Sequence, residues 1–129
     1  MIGRAADISR LKLKIQLLCG DDIAIGPGKA DLLDAIRDTG SISAAGRSLG
    51  MSYRRAWQLV DVMNRCFRAK LVETHPGGGQ KSGASLTQEG AQVLAAFRAL
   101  AAQLDASAAG DDVARIEQAL RDLPLPPAD

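Results

Sequence analysis

Ser52, Tyr53, Arg54 and Arg55 place two hydroxyls and two guanidinium groups side by side within SISAAGRSLGMSYRRAWQLV, the stretch from Ser41 to Val60. A guanidinium is a planar fork of N–H donors that can give two parallel hydrogen bonds to the edge of a guanine. Arginines at the start of a helix face the positive end of its dipole, at a cost on the order of tenths of a kcal/mol. A polyanion meeting that turn would offset the cost. The plainer alternative is a solvated helix face that happens to be basic. Gln58, one turn further on, shares the outward face with Arg54. Arg55 and Tyr53 fall at its flanks, where Arg55 suits a phosphate.

These groups need a scaffold. Ala56, Leu59, Val60, Met63 and Phe67 recur at helical spacing. A helix from a Ser52 cap to about Phe67 turns them inward and leaves Arg54, Gln58, Asp61 and Arg65 outside. Ahead of it, SISAAGRSLG predicts a short helix capped by Ser41. Ala44, Ala45 and Gly46 are small enough for a second helix to approach, and Gly50 can adopt the positive φ of a tight turn. KADLLDAIRDTG predicts an earlier helix with Leu32, Leu33 and Ile36 inward and Gly40 at its C-cap.

Before these helices, the alternation in LKLKIQLL (Leu11 to Leu18) predicts a half-buried strand, and CGDDIAIGPGK has the composition of a turn. After them, KLVET and ASLT are short β-type runs around HPGGGQKSG, which predicts a hairpin. Its small, flexible loop can lie along a phosphate backbone, donating from Lys81, Ser82 and main-chain N–H groups. Thr87 then caps a long helix, TQEGAQVLAAFRALAAQL. ASAAGDD breaks it, and VARIEQALRDL forms a last short helix before a proline-rich end.

The order strand, three helices, hairpin, long helix is that of a mainly α fold with a small β-hairpin, the outline of a winged helix-turn-helix. Residues 1–86 are assigned to that domain, 87–123 to a helical dimerisation segment and 124–129 to a disordered tail. The Ala/Leu stripe of VLAAFRALAAQL is longer than a small winged domain can cover, which predicts a homodimer.

Composition narrows the function further. A chain of 129 residues suits one domain with a small appendage. Its net charge of +1 conceals an asymmetry. Arg47, Arg54, Arg55, Arg65, Arg68, Lys70 and Lys81 dominate the middle, whereas Asp105, Asp111, Asp112, Glu117, Asp122 and Asp129 dominate the end. Trp57, at the edge of the apolar face, is expected in the core or against the wing. Cys19 and Cys66 lie in apolar-periodic contexts and are expected to be reduced, buried thiols. His75 and these cysteines lack metal-ligand spacing, so no metal is expected. GPGKAD lacks the remaining residues of a P-loop, and no nucleophile–base set or carboxylate pair signals an enzyme. No signal pattern is present, and no apolar run approaches the ~20 residues of a membrane span. A cytoplasmic protein without membrane contact is expected.

GSISAAGRSLGMSYRRAWQLVDVMN, then LVET, then GGGQKSGASLTQEG, resembles the N-terminal DNA-binding domain of ModE-type molybdate-responsive regulators, a relative of the LysR-type winged helix-turn-helix. The likeness runs from about Leu11 to Leu104. It implies a homodimeric transcription regulator that binds a palindromic operator in duplex DNA and serves molybdenum-related genes. The DNA-contacting residues it implies are Ser41 and Ser43, then Ser52, Tyr53, Arg54, Arg55 and Gln58 on the recognition helix, and Gln80, Lys81 and Ser82 in the wing. The family's molybdate-binding β-barrel modules have no counterpart in the residues after Leu104, which read as helical. No cofactor is therefore expected; the resemblance alone allows molybdate, but without those modules no tight molybdate site is expected. A function of another class is a winged-helix module that pairs with a partner protein and does not itself bind DNA.

Overall fold

The computed structural model describes residues 10–75 and 83–128. By its contacts the chain divides into a larger unit, Lys14–Ala101, and a smaller one formed by the described residues of 1–13 and 102–129.

The larger unit opens with a hairpin. Strand β1 (Leu17–Cys19) pairs antiparallel with β2 (Asp22–Ile25), Leu18 opposite Ile23 and Cys19 opposite Asp22. This differs from the sequence reading at two points. The predicted half-buried strand at Leu11–Leu18 is only its last two residues extended by Cys19, and β1 is exposed throughout. The stretch taken for turn chemistry supplies β2, whose Ala24 and Ile25 are buried. Alternation in LKLKIQLL misled because little of that segment meets the core: Ile15 packs against it, whereas Leu11, Leu13, Leu17 and Leu18 remain exposed.

Three helices follow: α1 (Pro27–Thr39), α2 (Ile42–Ser48) and α3 (Tyr53–Cys66). Pro27 stands at the start of α1, where its missing N–H costs nothing. Gly40 ends that helix with φ 79° and an N–H to the Ile36 carbonyl. The Ser41 hydroxyl accepts from the Ala44 N–H at 2.9 Å and the Ser52 hydroxyl from the Arg55 N–H at 3.0 Å, so both predicted caps are formed. The inward faces of the three helices meet in one core. Leu32, Leu33 and Ile36 of α1, and Val60 and Met63 of α3, are fully buried together with Leu71 and Val72. Each such side chain removed from water contributes about 1.5–3 kcal/mol.

Strands β3 (Val72–His75) and β4 (Gly83–Leu86) form the second antiparallel hairpin, with Val72 opposite Leu86 and His75 opposite Gly83. Main-chain bonds anchor it to its surroundings. The Ala84 N–H donates to the Gly40 carbonyl, and the Thr87 N–H donates to the Leu71 carbonyl, both at 2.9 Å. Helix α4 (Gln88–Ser107) starts there, its first turn capped by the Thr87 hydroxyl, which accepts from the Gly90 N–H at 2.9 Å. Leu94 and Phe97 of α4 enter the core. Arg98 reaches Asp31 and Asp34 of α1 at 2.8 and 2.6 Å.

In the smaller unit, α5 (Asp111–Ala119) has no buried residue. The Arg10 main-chain N–H lies 3.5 Å from a Glu117 carboxylate oxygen, and the Arg10 guanidinium donates to the Arg121 carbonyl. Leu11, Val113, Ile116 and Leu120 line a small apolar hollow beside them.

The join between α3 and β3 is made by one side chain. The Asn64 Oδ1 accepts from the N–H groups of Leu71 (2.9 Å) and Val72 (3.2 Å), and its Nδ2 donates to the Val72 carbonyl at 3.1 Å. Replacing Asn64 by Ala strands three main-chain groups beside buried Leu71 and Val72. The expected loss of stability is about 2–4 kcal/mol, read from the urea midpoint. Asn64→Asp keeps the acceptors but sets a carboxylate against the Val72 carbonyl, so it is expected to recover only part of the loss. An unchanged midpoint for Asn64→Ala would refute this role.

Candidate nucleic-acid interface

Helices α2 and α3 meet across Leu49–Gly50–Met51. Gly50 has φ 74°, a conformation that L side chains strongly disfavour, and its N–H bonds to the Arg47 carbonyl. The Met51 N–H returns to the Gly46 carbonyl at 2.9 Å. A β-carbon at Gly46 would lie 3.1 Å from the Ala56 methyl. The small-residue contact expected between the two helices is therefore made by Gly46 and Ala56, and α3 is held close by it.

With its apolar side fixed, α3 exposes Tyr53, Arg54, Arg55 and Gln58. Neither Arg54 nor Arg55 has a side-chain hydrogen bond or ion pair among the described residues. Arg65, further along the same helix, is paired with Asp61 at 2.9 Å, which raises its pKa. The first turn of α3 thus carries two unneutralised guanidinium groups, whereas its last turn is balanced. Lys29, near the start of α1, adds to this charge. Burial, and after it the charge of Arg55, hold the Lys29 ammonium below the usual lysine range. Two cations held in each other's field favour an anion between them.

Beside the first turn of α3, an open groove of about 340 Å³ separates the helix pair from the β3–β4 hairpin. Ser41, Ser43 and Tyr53 line it, together with Trp57, Thr74, His75 and Gly83. The hydroxyls share one arrangement. Ser41 accepts from a main-chain N–H, Ser43 accepts from Arg47 at 2.9 Å, and Tyr53 accepts from the Trp57 indole N–H. Ser52, on the helix just outside, accepts from the Arg55 N–H. Each oxygen already accepts one hydrogen bond, and among the described residues each hydroxyl proton remains available to donate. Hydroxyls that already accept and still have a proton to give suit phosphate oxygens, which only accept.

The structure therefore brings Ser41, Ser43 and Tyr53 together in the groove, and sets Ser52, Arg54, Arg55 and Gln58 on the adjoining exposed face. Gln80, Lys81 and Ser82 lie outside the described residues. Four groups at this surface had not been singled out as contacts. Trp57 is 37 % exposed and stands edge-on to Tyr53, with ring centroids 6.3 Å apart, so it faces the groove on the wing side and is not in the core. Thr74 and His75 come from β3, and His75 Nε2 shares a 2.8 Å hydrogen bond with the Ser85 hydroxyl. Their position at the mouth of the predicted wing was the available signal. Lys29 gave only a weak one, a lysine after GPG at the head of a helix.

A model of bacterial regulatory helix-turn-helix proteins of the lysR family matches residues 29–91. Among similar proteins, the molybdenum-pterin-binding protein MopB of Rhodobacter capsulatus is 45% identical over 78 residues, 60% of this chain and 29% of its own length. The molybdenum transport protein ModE of Azotobacter vinelandii is 38% identical over 77 residues, covering 60% of this chain and 28% of the relative. The DNA-binding transcriptional dual regulator ModE of Escherichia coli K12 is 34% identical over 91 residues, covering 70% and 33%. The chain spans about a third of the length of these curated relatives. The matched segment runs from Lys29 through the helix pair and the wing into the first turn of α4, and its type is that of a regulator and not of an enzyme. Residues 29–91, just under half of the chain, thus match the lysR-type helix-turn-helix model, and the chain is similar over part of its length to ModE-type molybdenum proteins.

Proposed function

We propose that the protein binds duplex DNA as a homodimer and regulates transcription of molybdenum-related genes. The observation that carries this reading is Arg54 and Arg55, unpaired among the described residues, on the first turn of α3, beside a groove whose hydroxyls keep a donor to offer. In this motif that turn enters the major groove. Arg54, on the same outward face as Gln58, takes a guanine edge. Arg55, nearer Lys29, takes a phosphate. Ser41, Ser43, Ser52 and Tyr53 donate to the backbone, and Gln80, Lys81 and Ser82, which lie outside the described residues, are assigned to it as well. Molybdenum enters through the names of the relatives, and a palindromic operator follows from two-fold symmetry.

Arg54→Ala and Arg55→Ala are each expected to cost about 1–3 kcal/mol on the preferred duplex. Arg54→Ala should also relax discrimination at one base position. Arg55→Ala should weaken all sequences alike and make the salt dependence shallower by about one counterion. Fluorescence-anisotropy titrations on selected and scrambled duplexes at several salt concentrations separate the two. If both variants bind as the parent does, the arginines are a solvated face and a protein partner becomes the better reading.

Support for the homodimer lies in the residues assigned to dimerisation, 87–123. Leu104 of α4 is 38 % exposed, and Ile116 and Leu120 of the α5 segment are more so. Burying such side chains against a second copy removes them from water. Sedimentation equilibrium at micromolar concentration is expected to give twice the chain mass, and Leu104→Glu combined with Ile116→Glu to give the single-chain mass. A monomeric parent would exclude the dimer.

A further inference from the structure

We propose that Trp57 selects a thymine through its 5-methyl group, held for that contact by Tyr53; this rests on the reading of the chain as a DNA-binding protein. An indole can meet duplex DNA in two ways. Its N–H donates to a base edge, or its carbon surface packs on an apolar group. The structure decides between them. The Trp57 N–H donates to the Tyr53 hydroxyl, and the two rings stand edge to face, 80° apart in plane with centroids 6.3 Å apart. An indole has no second polar atom. Donation to a guanine edge is closed to Trp57, and its carbon surface is what remains.

That surface is placed to be used. Both rings are exposed, Tyr53 more than Trp57, and both line the groove beside the first turn of α3. Among the described residues, Trp57 belongs neither to the buried core nor to the partly buried side chains packed on it. A tied pair of aromatic side chains at the surface suits an interface, apolar at the rings and polar at the hydroxyl. Duplex DNA offers a recognition helix few apolar groups. Its bases stay stacked, so their faces are covered, and the thymine 5-methyl is the apolar group that lines the major groove. Tyr53 acts twice. Its oxygen fixes the indole, and its proton remains for a phosphate. Side chains already tied to each other lose less freedom on binding. Arg54 and Gln58, on the outward face, supply hydrogen bonds. Trp57, on the wing side, supplies a preference that hydrogen bonds cannot give, thymine over uracil.

The test uses the full chain and a duplex selected from a random pool. Each thymine of the selected site is replaced in turn by uracil, which removes one methyl and leaves the base pairing intact. One such replacement is expected to weaken the parent about three- to fivefold, the worth of one buried methyl. With Trp57→Ala the same two duplexes should bind alike, at an unchanged salt slope, since no charge is removed. A merely structural loss would weaken both duplexes together and leave their ratio as in the parent. Tyr53→Phe removes the acceptor that holds the indole and should narrow the ratio. Trp57 is the only tryptophan of the chain, so the emission of the parent reports the contact without any variant. It should change when the thymine duplex binds, and change less with the uracil duplex. Binding indifferent to every uracil replacement, a ratio that survives Trp57→Ala or Tyr53→Phe, or emission unmoved by a bound duplex would each overturn the proposal and leave DNA binding standing. A parent that binds no duplex at any salt concentration would overturn the regulatory reading, and this proposal with it.

Discussion

The primary amide of Asn64 holds the two working parts of this domain in register. A recognition helix and a wing serve one ligand only if their separation is fixed, and here they are separate elements joined by a short connection. Asn64 offers one acceptor oxygen and one donor nitrogen to the main chain of Leu71 and Val72. An amide can satisfy an N–H and a C=O together, which neither a carboxylate nor an ammonium can do. Since Leu71 and Val72 are themselves core residues, the helix, the wing strand and the core are set by the same few atoms. Helix α4 then starts from the Leu71 carbonyl, so even the departure of the last long helix follows from that point.

Charge is distributed with similar economy. The chain is nearly neutral, yet a neutral protein can meet a polyanion if its acids are spent elsewhere. Asp31 and Asp34 engage Arg98, Asp34 also engages Arg37, and Asp61 engages Arg65. What remains unpaired on the first turn of α3 is positive. Exposed pairs of this kind add little to stability. Their effect here is to decide where the uncancelled field emerges. The hydroxyls complement it, since each is already satisfied on its acceptor side and is left with a donor to offer.

Local chemistry was legible in the sequence. The caps at Ser41, Ser52 and Thr87, the C-cap at Gly40 and the turn at Gly50 follow from side-chain hydrogen bonding and from φ, both properties of a few adjacent residues. The helix faces were legible for the same reason, and with them the placing of Arg54, Arg55 and Gln58 outside. What escaped depends on partners distant in sequence. β2 looked like a turn because its strand character comes from burial of Ala24 and Ile25 against α3. β1 looked half-buried because alternation records a pattern and not what covers it. The tie from Asn64 to the wing, the closeness of Lys29 to Arg55 and the exposure of Cys19, which the sequence reading had buried, are products of packing. The same holds for the groove. Ser41 and Ser43, expected as DNA contacts, line it; Trp57 joins them from the helix side, whereas Thr74 and His75 come from β3 on the other.

The wing strand β4 is bonded through Ala84 to the carbonyl of Gly40, the residue that ends α1. On its other side the hairpin reaches α3 through Asn64. The groove is therefore a calliper, one jaw clamped through the main chain of Ala84 and Gly40 and the other through the Asn64 amide. Its bite is an inherited length, whereas its grip is open to change one residue at a time. On the proposed reading, variants in Arg54 or Gln58 alter which bases are preferred without altering the spacing at which the phosphate backbone is met. A lineage can in this way exchange one target sequence for another while keeping the same frame.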